Sequence, residues 1–157
     1  TGSFDNIQEK LLSALGDAIV PARIGDKEGI HYLLDSANLM YFGEEKHQEF
    51  FCLKNETGFV GCVGLDFFGG EAILHSLAVT KSARGIGYGW MLADTAISVA
   101  RHRGIRRLYL LTESASDFFA AKLGFRVVVR STISEEVSLS KTFVACPDNA
   151  VAMRLDL

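Results

Sequence analysis

Residues 77–89 read Leu77-Ala78-Val79-Thr80-Lys81-Ser82-Ala83-Arg84-Gly85-Ile86-Gly87-Tyr88-Gly89. An apolar, strand-like run ends at Val79, and three glycines then alternate with Ile86 and Tyr88. A helix is expected to begin near Gly87. Small residues at a strand-to-helix junction let consecutive backbone N–H groups point into one hollow. The first helical turn adds its own unpaired N–H donors and the positive end of the helix dipole. Such a hollow suits a phosphate or pyrophosphate. The spacing is not the dinucleotide GxGxxG, and no Gly-Lys-Ser/Thr follows as in a Walker A loop. On this hexamer alone, a tight turn holding no ligand stays open.

On the C-terminal side, Trp90 to His102 reads as a helix that is apolar on most faces, as packing on a sheet requires. Gly104 ends it, with Arg101, His102 and Arg103 in the last turn, where cations suit the dipole. Leu108 to Leu111 is a buried-type strand. The segment from Glu71 through Leu111 is therefore a βαβ unit, with its two strands parallel. Ser114 to Leu123 is a further helix stopped by Gly124. Phe125 to Arg130 reads as a strand, Ser134 to Ser140 as a helical excursion, and Ala150 to Leu157 as a last strand.

On the N-terminal side, Glu71 to Val79 is preceded by two more strands, Phe50 to Lys54 and Phe59 to Phe68. Asn55-Glu56-Thr57-Gly58 and Gly69-Gly70 supply the turns of this antiparallel meander. Asp26 is a plausible N-cap for a helix running to about Leu34. Ile19 to Ile24 is a short strand whose Pro21 puts it at a sheet edge. Apolar residues at Phe4, Ile7, Leu11, Leu12 and Leu15 line one face of a first helix, stopped by Gly16. Ala37 to His47 reads as helical or irregular.

The whole-chain numbers agree with one domain, with room for one appended helix. At 157 residues, 48% hydrophobic and 22% charged, the chain can bury a core without staples. A net charge of −3 disfavours nucleic acid as a partner. Six cations (Lys81, Arg84, Arg101, Arg103, Arg106, Arg107) crowd the segment from Lys81 to Arg107 against Asp94 alone, which suggests a small anionic ligand. Cys52, Cys62 and Cys146 have no metal-ligand spacing, so no metal is expected, and an odd count argues for reduced thiols and a cytoplasmic setting. No run of about 18 uncharged apolar residues exists, so no membrane span is expected. Thr1 to Leu15 lacks a basic n-region and does not read as a signal peptide.

Leu77-Ala78-Val79 followed by Arg84-Gly85-Ile86-Gly87-Tyr88-Gly89 resembles the signature of GNAT-superfamily N-acetyltransferases. Their pattern is a strand ending in LAV, then Arg/Gln-x-x-Gly-x-Gly/Ala opening a helix. Lys122-Leu123-Gly124-Phe125 resembles the closing KLGF of that superfamily. The likeness runs from about Ile19 to Leu157. It implies an α/β (α+β) domain over 19–157: the GNAT fold, a mixed, mostly antiparallel central sheet flanked by helices and splayed between its fourth and fifth strands. Residues 1–18 are then an N-terminal helical extension. Leu108-Tyr109-Leu110-Leu111-Thr112, Asp117-Phe118-Phe119 and Cys146-Pro147 resemble more narrowly the arsenic-resistance N-acetyltransferase branch. The acetyltransferase domain of N-acetylglutamate synthases is similar over part of that run. Both imply a small amino-acid-like acceptor, in the first case one containing arsenic or phosphorus.

The superfamily resemblance implies acetyl-CoA as cosubstrate. The backbone of Leu77, Ala78 and Val79 would pair with its pantetheine arm like an added strand. The turn of Arg84, Gly85, Ile86, Gly87, Tyr88 and Gly89 would hold the pyrophosphate. Lys81 or the cations near Arg101–Arg107 could meet the 3′-phosphate, but a solvated basic face suits most of them better. A backbone N–H of Ala78 or Val79 would receive the oxyanion. His75, two residues before Leu77, is the candidate base, because a histidine titrates near neutral pH. By the two-residue strand period it is expected to share the face of Leu77. Glu71 is a second candidate. Many members carry a Tyr acid four residues before the closing Gly. Here that position is Ala120, or Phe119 across a bulge, and neither donates a proton. Tyr88 and Tyr109 are the remaining hydroxyls. A non-catalytic acyl-CoA-binding module and a protein N-terminal or lysine acetyltransferase are the rival readings, and a homodimer is left open.

Overall fold

The computed structural model describes residues 19–39, 47–56 and 58–157. The expected helix over Phe4–Leu15, and the extension 1–18 with it, lie outside these residues, as does most of the irregular stretch after Leu39.

Seven strands form one sheet. They are β1 (Ile19–Pro21), β2 (Gln48–Asn55), β3 (Gly58–Phe68), β4 (Glu71–Val79), β5 (Arg107–Thr112), β6 (Arg126–Val127) and β7 (Val151–Asp156). Their order is β1-β2-β3-β4-β5-β7-β6. All neighbours are antiparallel except β4 and β5, which are parallel. This is the expected mixed, mostly antiparallel sheet. Pro21 sits on the edge strand, where its missing N–H costs no ladder bond. The strand is shorter than Ile19–Ile24, because Ile24 already opens a 3₁₀ turn.

Helices cover both faces. Helix α1 (Lys27–Ser36) lies on one face, α2 (Tyr88–His102) and α3 (Ser116–Leu123) on the other, and the short α4 (Glu135–Ser138) and α5 (Lys141–Ala145) on the α1 face. Phe51, Leu53, Val63, Leu65, Ala72 and Leu74 form a buried core with Leu92, Ala96 and Ile97 of α2. On the other face Cys52, Cys62 and Ala78 pack under Ile30, Leu33 and Leu34 of α1. Ile73, Tyr109 and Ala152 pack with Val137 and Phe143 of α4 and α5. Burial of this kind is the main stabilising contribution, about 1.5–3 kcal/mol for each large aliphatic side chain.

The end of the chain differs from its expected layout. The strand over Phe125–Arg130 shrinks to Arg126–Val127, and Arg130 starts a 3₁₀ turn. There the Arg130 guanidinium donates to the carbonyls of Pro147 and Ala150 at 3.0 Å each. The helical excursion over Ser134–Ser140 holds the helix Glu135–Ser138, and a second helix, Lys141–Ala145, follows it where none was expected. Ser134 and Ser140 each accept a hydrogen bond from the backbone three residues on, the N-cap role that separates them.

Candidate active site

The parallel pair β4 and β5 is joined only at its beginning. Glu71 pairs with Arg107, Ala72 with Leu108 and Ile73 with Tyr109. Beyond that rung the strands part, because β5 stays paired with β7 through Thr112 while β4 stays paired with β3 through Val79. The gap is a slot of about 380 Å³. His75, Ser76 and Leu77 line one wall, Leu110 to Ala115 the other, and Phe118, Phe119, Thr142, Cys146 and Pro147 close it. Among the described residues no strand covers the β5-facing edge of β4 past Ile73. Its backbone groups are therefore available to an extended ligand.

A second hollow of about 340 Å³ adjoins the slot. Val79, Ala83, Arg84, Gly85, Gly87, Tyr88, Gly89 and Trp90 line it, and Phe118 lines both cavities. Gly87 is the N-cap of α2 with φ 100°, a conformation that favours glycine. No atom lies within 4 Å of where its Cβ would stand. The N–H groups of Gly87 through Trp90 have no partner inside the helix and no side chain caps them. The turn thus presents open donors at the positive end of a helix dipole, a fit to a pyrophosphate.

The basic residues divide. Lys81 is exposed beside the turn. Arg101 to Arg107 lie at the other end of α2, about 20 Å away for a helix of this length. There Arg103 pairs with Glu49 at 2.7 Å and covers the Phe67 ring, and Arg107 approaches Glu71 at 3.9 Å. These cations fit a solvated basic face, apart from the turn.

His75 also stands differently from its expected place. Cys62 pairs with Ala78 but Gly64 pairs with His75, so Val63 faces two residues of β4. The extra residue is Ser76, with φ 55°. A bulge reverses the alternation of side chains beyond it. Ala72 and Leu74 pack on the α2 face before it, and Leu77 and Val79 do so after it. His75 is therefore on the opposite face from Leu77. Its ring meets Phe50 edge-on at 5.5 Å. Its Nδ1 is 2.8 Å from Ser76 Oγ, and its Nε2 is 3.0 Å from Asp66 Oδ1, both side chains being buried. Gln48 donates to the same carboxylate oxygen at 2.7 Å. Ser76 and Asp66 did not stand out in the sequence, since neither belongs to a motif.

The hydroxyl candidates lie elsewhere. Tyr109 is 1% exposed and packs on the α4 and α5 side. Burial pushes its phenol up, and so does its hydrogen bond to Glu71. Glu71 sits at the joined end of the β4 and β5 pair, outside the slot lining. Phe119 does line the slot, whereas Ala120 is exposed. Cys146 lines the slot, half-buried, and burial pushes its thiol up. Among the described residues no cluster of His, Cys, Asp or Glu could hold a metal, and no helix is long and apolar enough to cross a membrane.

The model of the acetyltransferase (GNAT) family matches residues 19–125. No curated protein sequence matches the chain. Among solved structures, N-acetylglutamate synthase from Neisseria gonorrhoeae is similar in two complexes. That with coenzyme A and N-acetyl-glutamate has a TM-score of 0.73 at 23% identity, over 88% of this chain and 35% of that one. That with coenzyme A and L-arginine has a TM-score of 0.73 at 26% identity, over 88% and 32%. This chain thus spans about a third of the synthase. The ribosomal-protein-S18-alanine N-acetyltransferase from Escherichia coli has a TM-score of 0.68 at 16% identity, over 88% of this chain and 92% of that one.

Proposed function

The chain belongs to the acetyltransferase (GNAT) family, and from that premise we propose that it transfers acetyl from acetyl-CoA to the primary amine of a small molecule. The observation that carries this reading is the parting of β4 from β5 after Ile73 and Tyr109, beside a glycine turn of open N–H donors. Residues 19–157 are the catalytic domain in this reading.

Acetyl-CoA supplies an activated thioester. The free edge of Leu77, Ala78 and Val79 pairs with the pantetheine arm, and the turn from Arg84 to Gly89 takes the pyrophosphate. Phe118, shared by the two cavities, marks where the arm passes from turn to slot. A backbone N–H of Ala78 or Val79 stabilises the oxyanion. His75 accepts the proton that the acceptor ammonium must lose before attack. Neither Ala120 nor Phe119 at the place of the usual tyrosine can donate a proton, so the leaving thiolate takes its proton from the attacking nitrogen.

The acceptor is an amino acid or a close analogue, one bearing arsenic or phosphorus included. The slot's modest volume and its closure by Thr142, Cys146 and Pro147 favour a small molecule over a polypeptide. The likeness to the arsenic-resistance branch over Leu108–Thr112, Asp117–Phe119 and Cys146–Pro147 supports the same choice. So does the synthase complexed with N-acetyl-glutamate.

Free-thiol release from acetyl-CoA, measured over a panel of amino acids, their phosphorus and arsenic analogues, polyamines and peptides, tests the reading. Turnover with amino acids or analogues is expected. Turnover restricted to peptides points to a protein acetyltransferase. Tight CoA binding with no turnover on any amine makes the chain an acyl-CoA-binding module.

A further inference from the structure

We propose that Ser76, His75 and Asp66 form a proton relay in which the Ser76 hydroxyl, not the His75 ring, meets the acceptor amine. The proposal rests on the transferase reading above and deepens it. Ser76 lines the slot, and its Oγ is 2.8 Å from His75 Nδ1. The ring behind it is nearly closed to solvent, with its side chain 7% exposed, and its Nε2 faces Asp66 Oδ1 at 3.0 Å. Asp66 is 1% exposed. A buried carboxylate there has no role in packing and strongly favours a partner.

The order of the three groups decides the direction of transfer. The Asp66 carboxylate lies 3.0 Å from Nε2 but is not aligned to accept a hydrogen bond from it. Its negative charge, rather than a formed bond, therefore favours the His75 tautomer with hydrogen on Nε2. Nδ1 then carries the lone pair and receives the Ser76 O–H. The backbone keeps the hydroxyl there under strain. Ser76 has φ 55°, a left-handed conformation unfavourable by about 1 kcal/mol or more for a residue other than glycine. The Cys62 thiol donates to the Ser76 carbonyl oxygen at 3.3 Å, which fixes the bulge from the adjacent strand. Charged and titratable groups facing the ring are Asp66 from β3 and, through Ser76, Cys62. From β2 come the Phe50 ring on His75 and the Gln48 amide on Asp66.

In the transfer, the acceptor ammonium gives one proton to Ser76 Oγ as the serine's own proton passes to His75 Nδ1. This leaves a free amine and an imidazolium facing Asp66. The amine nitrogen bonds to the acetyl carbon, the C–S bond breaks, and the thiolate takes the second proton from that nitrogen. The imidazolium returns its proton through Ser76 to solvent. An amine titrating at about 9–10 is about 1% or less neutral at pH 7, so the relay contributes about 10²-fold near neutrality and little at high pH.

Ser76→Gly removes the hydroxyl and suits the left-handed backbone, so it keeps the fold. Asp66→Asn keeps an oxygen toward Gln48 and Nε2 but removes the negative charge that stabilises the imidazolium. With an amine that the wild type acetylates, kcat/KM of Ser76→Gly at pH 7 is expected to fall about 10²-fold and to come within a few-fold of wild type at pH 10, with KM for acetyl-CoA unchanged. Asp66→Asn is expected to lose a similar factor. Imidazole ¹⁵N shifts should report the Nε2–H tautomer of His75 in wild type. Wild-type pH–rate profiles in both variants overturn the relay and leave the transferase standing. A loss in Ser76→Gly that is equal at pH 7 and pH 10 also overturns it, since a proton carrier is dispensable once the amine is neutral. A wild type that binds CoA but acetylates no amine overturns the transferase reading and the relay with it.

Discussion

The Arg84 side chain donates from Nε to the carbonyl oxygen of Val79 at 3.0 Å. The first residue of the glycine turn is thereby tied to the last residue of β4, whose edge borders the slot. The contact is exposed, so its strength is modest, about 1 kcal/mol. Arg84→Ala is expected to weaken CoA binding about 5-fold or more by loosening the turn, measured by titration calorimetry. An unchanged Kd would make the contact incidental.

Gly87→Ala and Gly87→Glu separate backbone strain from charge. At φ 100° both carry a similar backbone penalty of about 1 kcal/mol or more. The space around the new Cβ is open, so only the glutamate variant would project a carboxylate among the N–H donors. CoA affinity should drop up to about 10-fold in the alanine variant and about 100-fold or more in the glutamate variant. Equal losses in two folded variants refute an anion site at this turn.

Gly64 makes room for His75. A Cβ on Gly64 would stand 2.6 Å from His75 Cε1, and the ring cannot swing away without leaving Asp66 or striking Phe50. Gly64→Ala should cost about 1–3 kcal/mol by overpacking, or about 3–10 °C in Tm for a domain of this size. A calorimetric Tm equal to wild type would mean that the ring moves freely.

Asp26 predicts a pH-dependent term in stability. The backbone N–H of Arg23 donates to Oδ2 at 2.8 Å and Lys54 Nζ to Oδ1 at 2.5 Å. These bonds, Arg23 first, hold the carboxyl below its usual 3.8. A depressed folded value contributes stability above the unfolded value, lost as pH falls through the folded one. The Asp26 side chain makes no cap bond to the helix it precedes, so Asp26→Ala should be destabilised by about 1–2 kcal/mol at pH 6–7 through the lost bonds from the Arg23 N–H and Lys54, with the gap to wild type closing below about pH 3.8. Urea unfolding at several pH values measures it. A gap independent of pH assigns the effect to packing.

The cysteines should react in a fixed order. Burial pushes the Cys52 thiol up to about 11 and the Cys62 thiol to about 12, so neither should alkylate in the folded protein. Cys146 is only half-buried, at the slot, and although its thiol is also raised it stays within reach of a reagent. Iodoacetamide at pH 7.5 should modify it slowly and alone, and faster as pH rises. Peptide mass mapping identifies the site. Modification of Cys62 before Cys146 would contradict the packing of α1 on the sheet.

The sequence alone determined what depends on local pattern. Alternating apolar residues, glycine turns and the break at Gly104 mark the meander and the βαβ unit, because strand and helix periods are written in neighbouring residues. The glycine hollow was legible for the same reason: a helix start and small residues suffice to make it. Ser140 also carried a local signal, an N-cap, for the helix Lys141–Ala145 that the expected layout omits. Tertiary structure alone decided the face of His75. Glu71 to Val79 reads as one continuous strand, and a bulge at Ser76 leaves no trace in composition, since its cause is the pairing of Cys62 and Gly64 with Ala78 and His75. The meeting of Asp66 with His75 is likewise a matter of register between two strands, and the slot depends on which partner each strand keeps after Ile73 and Tyr109. Those are long-range competitions for backbone hydrogen bonds, and no window of neighbouring residues contains both competitors.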